Sequence, residues 1–122
     1  MKKNILIFIL ITFFIASCSS NIANNPQEDA RNMINQLISA AENNDVDAAN
    51  EILGKYYEIY SKKDLADKVV FVKSVKDSDA YDENDVWRHF ANSKEFQNSP
   101  NYIRYGILYK ETEKEARRLG VW

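Results

Sequence analysis

The sequence predicts an all-α protein, a small bundle of four or five helices that begins with an antiparallel helical hairpin. Three observations support this fold class. Apolar residues recur at helical spacing along most of the chain after residue 25. Residues that favour helix starts precede several of these segments. A length of 122 residues leaves room for one domain. We therefore assign residues 26–122 to a single helical domain.

The first two helices have the clearest signals. Asn25 can cap a helix whose first position is Pro26, and Glu28 stands three residues after the cap. One face of this helix is apolar, with Ala30, Met33, Ile34, Leu37, Ile38 and Ala41. Asp45 can cap the second helix, whose apolar face holds Ala48, Ala49, Ile52, Leu53, Tyr56, Ile59 and Tyr60. Because the connecting turn is only two or three residues, the two helices are expected to pack antiparallel.

The middle of the chain is predicted to hold a third helix, an acidic loop and a short helix. Ser61 and Asp64 form a candidate capping box before residues 65–72, although the run VVFV also suits a strand by propensity. Residues 76–85 are predicted to form a polar acidic loop. Asp82 or Asn84 can cap the short helix, whose apolar residues are Val86, Trp87, Phe90 and Ala91.

The last helix is predicted to start at Ser99 and Pro100, a cap and first-position pair. Its apolar side comprises Tyr105, Leu108, Tyr109, Thr112, Ala116 and Leu119. Gly120 is expected to end the helix, with Val121 placed to fold back on the final turn.

The N-terminus has the layout of a secretory signal. Lys2 and Lys3 precede the apolar run of residues 5–16, which small residues follow. As a helix this run would be about 18 Å long, against about 30 Å for the hydrocarbon core of a bilayer. Residues 1–17 are therefore predicted to be a cleaved signal peptide rather than a permanent membrane span.

The residues Ile15, Ala16, Ser17 and Cys18 resemble the lipobox of bacterial lipoprotein precursors. The resemblance implies cleavage before Cys18 and attachment of acyl chains to that residue, which is the only cysteine. Two or three acyl chains would hold the protein stably on a membrane. A buried or free structural cysteine is the alternative. The mature part also resembles small helical lipoproteins of Gram-negative envelopes without an assigned activity.

Residues 18–25 are expected to form the lipidated cysteine and a flexible tether, because they are small and polar with few hydrophobic residues. Fully extended, the tether would span about 25 Å. Ser19 is similar to the outer-membrane sorting signals of enteric lipoproteins, whereas an aspartate there would indicate the inner membrane. The expected location is therefore the cell envelope, with the outer membrane preferred.

The charge distribution bears on possible partners. Without residues 1–17 the chain has 14 basic and 18 acidic side chains, a net charge of −4. Residues 28–85 carry a net charge of −7 and residues 86–122 one of +3. This asymmetry can favour a partner protein in the envelope, or it is ordinary variation along a helical chain. An acidic exported domain is not expected to bind nucleic acid.

Residues that could carry chemistry are few. His89, the only histidine, could contact Asp85 on a helix, but no nucleophile accompanies them. With one histidine and an acylated Cys18, a zinc site is not expected. Asp77 and Asp79 fit the start of a calcium loop, but Tyr81, at a ligand position, does not. Weak cation binding by the loop, including Asp82 and Asp85, is the alternative to a solvated loop. The sequence indicates neither an enzyme nor a cofactor.

Clustered aromatic residues are the one feature of the sequence that suggests a binding surface. Tyrosine suits interfaces and ligand grooves, and it suits a small helical core equally well. The candidate binding surface consists of Tyr102, Tyr105 and Tyr109. Two functions follow as hypotheses, a non-enzymatic protein-interaction module or an accessory protein that binds a carbohydrate or another small molecule in an aromatic groove. A third hypothesis, an enzyme using Asp85 and His89, has the least support.

Overall fold

The structure, a computed structural model, describes residues 25–122. The predicted signal peptide, Cys18 and residues 18–24 of the tether lie outside the described residues. Within them, seven helical segments and no strand follow one another: α1 (Pro26–Glu42), α2 (Val46–Tyr60), α3 (Leu65–Lys76), α4 (Ala80–Glu83), α5 (Asp85–Ala91), α6 (Lys94–Gln97) and α7 (Pro100–Arg118). The predicted all-α bundle is confirmed, because five segments have seven residues or more and only α4 and α6 are single turns.

Helices α1 and α2 form the predicted antiparallel hairpin. The Asn25 side chain accepts a hydrogen bond from the Glu28 N–H (3.1 Å), and that of Asp45 accepts one from the Ala48 N–H (3.0 Å). Between the two helices Asn44 adopts φ 49°, a left-handed conformation that asparagine tolerates better than most residues. The chain reverses there, and α1 packs along α2.

Helix α3 starts at Leu65, but its cap differs from the predicted one. Asp64 caps it by accepting a hydrogen bond from the Asp67 N–H (3.0 Å). The predicted role of Ser61 in a capping box is wrong, since Ser61 ends α2 and its hydroxyl donates to the Glu58 carbonyl (3.2 Å). The VVFV run is helical because this geometry buries Phe71 and Val72 completely, a packing gain that overrides strand propensity.

The region between α3 and α7 is more helical than expected. The predicted loop of residues 76–85 contains the single turn α4, and Asp82 lies within it. Asn84 is the cap of α5, accepting from the Trp87 N–H at 2.8 Å. Helix α6 was not predicted; Ser93 caps it through the Phe96 N–H (3.3 Å). Segments of four residues are too short to show a helical period in the sequence.

Helix α7 begins and ends where the sequence indicates, with differences in detail. The Ser99 hydroxyl donates to the Phe96 carbonyl (2.6 Å) instead of capping α7. Gly120 ends the helix at φ 77°, and the Val121 N–H donates to the Ala116 carbonyl (2.9 Å), as in a Schellman ending. Val121 therefore folds back on the final turn as predicted, although it is 58% exposed. The predicted place of Leu119 on the apolar side of the helix is wrong, because Leu119 is 51% exposed.

Helix α7 lies against α2 and α3, and it meets α2 at a close approach. The Asn101 backbone N–H donates to the Asn50 side chain (2.9 Å), and the Asn101 carboxamide donates to the Asn50 carbonyl (3.0 Å). A Cβ atom placed on Gly54 would overlap this carboxamide, lying only 3.0 Å from its Cγ. Glycine at position 54 therefore permits the paired asparagines to join the two helices.

We expect Gly54→Ala to lower the free energy of unfolding by about 1 kcal/mol. The overlap with Asn101 costs about 1–3 kcal/mol, and the better helix propensity of alanine returns up to about 1 kcal/mol. Gly106→Ala is the matched control, because a Cβ there meets no neighbouring atom of the described residues within 4 Å. The control is expected to stabilise the protein by about 0.5–1 kcal/mol. Urea unfolding of both variants measures the two effects, and equal shifts would contradict the close approach.

Candidate functional site

The three candidate tyrosines are half-buried on α7, and each ring packs against a different aromatic residue. Tyr102 meets Phe96 edge-on (ring centroids 5.0 Å apart, 69°). Tyr105 meets Phe71 (6.5 Å, 80°). Tyr109 meets Trp122 (6.0 Å, 79°). The rings therefore contribute to the bundle core and its rim.

Phe71 of α3 is the centre of the aromatic core. Its ring stacks on Tyr60 (3.9 Å, 7°) and lies nearly parallel to Tyr56 (6.0 Å, 12°). The buried Tyr60 hydroxyl donates to the buried Asp29 carboxyl at 2.5 Å. Burial, followed by the hydrogen bond and the proximity of the Asp29 charge, raises the pKa of Tyr60. The phenol therefore stays protonated and continues to donate to α1 well above neutral pH.

Tyr105 provides a contrast within the same core. Its hydroxyl is buried and forms no hydrogen bond among the described residues. Burial, followed by the proximity of Tyr109, raises the pKa of Tyr105. A buried hydroxyl without a partner costs stability, because it has given up its bonds to water. The ring packing must offset that cost.

The structure does not bring Asp85 and His89 together. The Asp85 carboxylate pairs with Arg88 one turn along, and the Asp85 side chain is 88% exposed. His89 is also exposed, and no hydrogen bond or ion pair joins it to Asp85 in the described part of the chain. The acidic residues near α4 are likewise separate: across residues 25–122, no three His, Cys, Asp or Glu side chains are grouped closely enough to hold a metal ion.

An open cleft of about 480 Å³ lies between α1 and the segment that joins α3 to α4. Apolar side chains of Ala30, Ile34 and Ile38 form its floor. One wall carries the polar residues Gln27, Arg31 and Asn35 of α1. The opposite wall carries Ser74, Asp77, Ser78, Asp79 and Ala80. None of the candidate tyrosines lines this cleft.

The sequence contained only a weak signal for the cleft. Gln27, Arg31 and Asn35 are spaced four residues apart and form a polar stripe beside the apolar face of α1. Every amphipathic helix has such a stripe, so the spacing alone does not distinguish a cleft wall from a solvated face. The packing of α3 beside this stripe makes it one side of a cavity.

A second feature is the solvent-facing side of α7. Ile103 and Ile107 are each 51% exposed and lie one turn apart. Lys110 and Lys114 continue the same side at helical spacing and are also exposed. We call these four residues the α7 patch. Beside it, Arg104 lies over the Tyr57 ring (4.5 Å to the centroid) and contacts Glu58 (3.3 Å), which ties this part of α7 to α2.

No protein-family model matches the chain, and neither a curated protein nor a solved structure is significantly similar to it. Among the helices of residues 25–122, none is both long and apolar enough to cross a membrane. The candidate functional surfaces of residues 25–122 are the cleft and the α7 patch.

We expect Tyr60→Phe to lower the free energy of unfolding by about 2 kcal/mol, because it removes a hydrogen bond to a buried carboxyl group. Tyr105→Phe removes a buried hydroxyl without a described partner, and is expected to be neutral or slightly stabilising. Both substitutions keep a six-membered ring, so each serves as the control for the other. Urea unfolding at neutral pH distinguishes them, and a larger loss for Tyr105→Phe would refute this account of the core.

Proposed function

We propose that the chain is a lipid-anchored protein of the bacterial cell envelope that acts as a non-enzymatic protein-interaction module. The resemblance of Ile15–Cys18 to a lipobox supports the anchor, and Cys18 is the residue that would carry the acyl chains. Two or more chains make attachment to a bilayer stable. A tether of residues 18–25 would then keep the helical domain within about 25 Å of the membrane. Ser19 supports the outer membrane over the inner one.

The observation that carries the interaction proposal is the pair of exposed isoleucines on α7. Ile103, Ile107, Lys110 and Lys114 have offsets of 4, 7 and 11, a pattern that suits docking against another helix. Because each isoleucine is only 51% exposed, burying the rest of its surface would contribute about 0.8–1.5 kcal/mol per residue, half the value for a fully exposed side chain. The two lysines favour a partner whose apolar face is flanked by acidic side chains. The partner is therefore expected to be a protein segment with an apolar, acid-flanked helix.

The anchor is tested by intact-mass analysis of the protein isolated from its native membrane. We expect a chain that begins at Cys18 and carries the mass of its acyl groups. Cys18→Ser should leave the leader attached and the added mass absent, since the acylated thiol is lost. A wild-type product that starts at Met1 with an unmodified Cys18 would overturn the anchor.

The α7 patch is tested by placing a photo-crosslinking residue at Lys110 in cells. A discrete protein adduct is expected at Lys110 and not at Glu51, which is an exposed position on α2. Ile103→Ser together with Ile107→Ser should reduce the adduct about tenfold or more, because the apolar burial is lost.

Val86→Ser is the control for that experiment, because Val86 is an exposed apolar residue on α5. It should leave the Lys110 adduct unchanged. An adduct that survives loss of both isoleucines, or no adduct at Lys110, would contradict the proposed surface.

A second candidate function is small-molecule binding, and the cleft beside α1 is the observation that favours it. Its lining contains no aromatic residue, so a ring that stacks on sugars is absent from this part of the described surface. An aromatic groove of α7 tyrosines has less support, because each of their rings packs on another aromatic residue.

A further inference from the structure

The cleft lining carries charges of both signs, which form no salt bridge with each other among the described residues. Arg31 stands on the α1 wall, and Asp77 and Asp79 stand on the other. Among the described residues Arg31 forms no salt bridge, so none of its nitrogen atoms lies within 4.0 Å of either carboxylate. Two nearby cations, Lys73 and Lys76, lie over the Trp122 ring (5.8 and 5.7 Å to its centroid). Of the described residues that line the cleft, Arg31 is the single cationic one.

We propose that the cleft is a binding site for a small zwitterion, a molecule with an anionic carboxylate or phosphate at one end and an ammonium group at the other. The anion would bind Arg31 and the ammonium would bind Asp77 and Asp79. This site is separate from the α7 patch, so the inference goes beyond the proposed protein interaction.

The anionic end suits the α1 wall. The guanidinium of Arg31 presents planar N–H donors that match both oxygens of a carboxylate or two of a phosphate. Gln27 and Asn35 lie one turn before and after Arg31 and supply amide groups that can donate further hydrogen bonds. An acidic ligand without an ammonium group would be repelled by the two aspartates opposite.

The ammonium end suits the other wall. Asp77 and Asp79 provide carboxylate oxygens, and Ser74 adds a hydroxyl that can accept a hydrogen bond. A purely cationic ligand would satisfy this wall but would face Arg31. Only a ligand with both charges balances both walls, which gives the site its selectivity.

Size and floor restrict the ligand further. A volume of about 480 Å³ falls in the range of small-molecule sites, roughly 300–1,000 Å³. The floor of Ala30, Ile34 and Ile38 can accept a short aliphatic portion between or beside the charged ends. Dipeptides with one aliphatic side chain and phosphoethanolamine headgroups both have this chemistry.

The test is an NMR titration of the full chain in detergent, which follows the backbone amides of α1 and of residues 74–80. The probes are glycyl-leucine, its N-acetylated form without the ammonium, its C-amidated form without the carboxylate, and glycerophosphoethanolamine. Saturable shifts are expected for glycyl-leucine or glycerophosphoethanolamine. The probe that binds with the higher affinity identifies the ligand class, a peptide or a lipid headgroup. The two capped dipeptides should not saturate.

Variants assign the binding to the cleft. Arg31→Gln, and Asp77→Asn with Asp79→Asn, should each weaken binding about tenfold or more, as expected for the loss of a charge-assisted contact. Lys94→Gln, at an exposed position on α6 outside both the cleft and the α7 patch, is the control and should bind normally. Far-UV circular dichroism verifies that each variant is folded.

No saturable shift with either zwitterion, equal binding of the capped dipeptides, or unchanged binding by Arg31→Gln would each overturn the proposal. The α7 crosslink should be unaffected by Arg31→Gln, so a failure at the cleft leaves the protein-interaction proposal separately testable.

Discussion

The stack of Phe71 on Tyr60, together with the hydrogen bond from Tyr60 to Asp29, is the interaction on which the rest of the fold depends. It joins α3 to α2 through ring contact and α2 to α1 through a buried polar bond. Apolar contact alone leaves several helix orientations nearly equal in energy, whereas a buried carboxyl group requires its donor at one place. The aromatic stack therefore supplies burial, and the Asp29 bond selects one arrangement of the hairpin against α3.

The position of α7 follows from this arrangement. Tyr105 meets the edge of Phe71, and the paired asparagines at positions 50 and 101 fix the start of α7 on α2 beside Gly54. With its tyrosine side packed inward, α7 turns Ile103 and Ile107 to solvent. The packing that places the α7 tyrosines against other aromatic rings therefore leaves Ile103 and Ile107 on the exposed side of the helix. The cleft arises in a similar way, because α3 and α4 flank the polar stripe of α1 without closing over it.

These two surfaces suit different partners. The α7 patch is apolar and basic, which favours a protein helix, whereas the cleft is bounded by charges of both signs, which favours a small ligand with both. A lipid anchor at Cys18 would hold both surfaces near a bilayer and so raise the local concentration of membrane-bound partners. The proposed anchoring and binding functions are therefore compatible within one small domain.

The sequence by itself determined the features that depend on nearby residues. Asn25 and Asp45 cap helices, the apolar period of α1 and α2 specifies their buried faces, and Gly120 ends α7. The lipobox resemblance is also local, and it remains a prediction about residues outside the described part.

Only the tertiary structure decided which side chains of each helix are buried, which line the cleft, and which residues they contact. The single turns α4 and α6 are too short to show a helical period in the sequence. Ser61 lies between α2 and α3, and the local sequence alone does not decide which of these two helices it caps. Arg31 and Asp77 are 46 positions apart, so only the packing of α3 beside α1 places them on one cleft. Local sequence encodes helix boundaries because capping acts over three or four residues. The cleft could not be predicted from the sequence, because its lining residues come from segments that are distant in the chain.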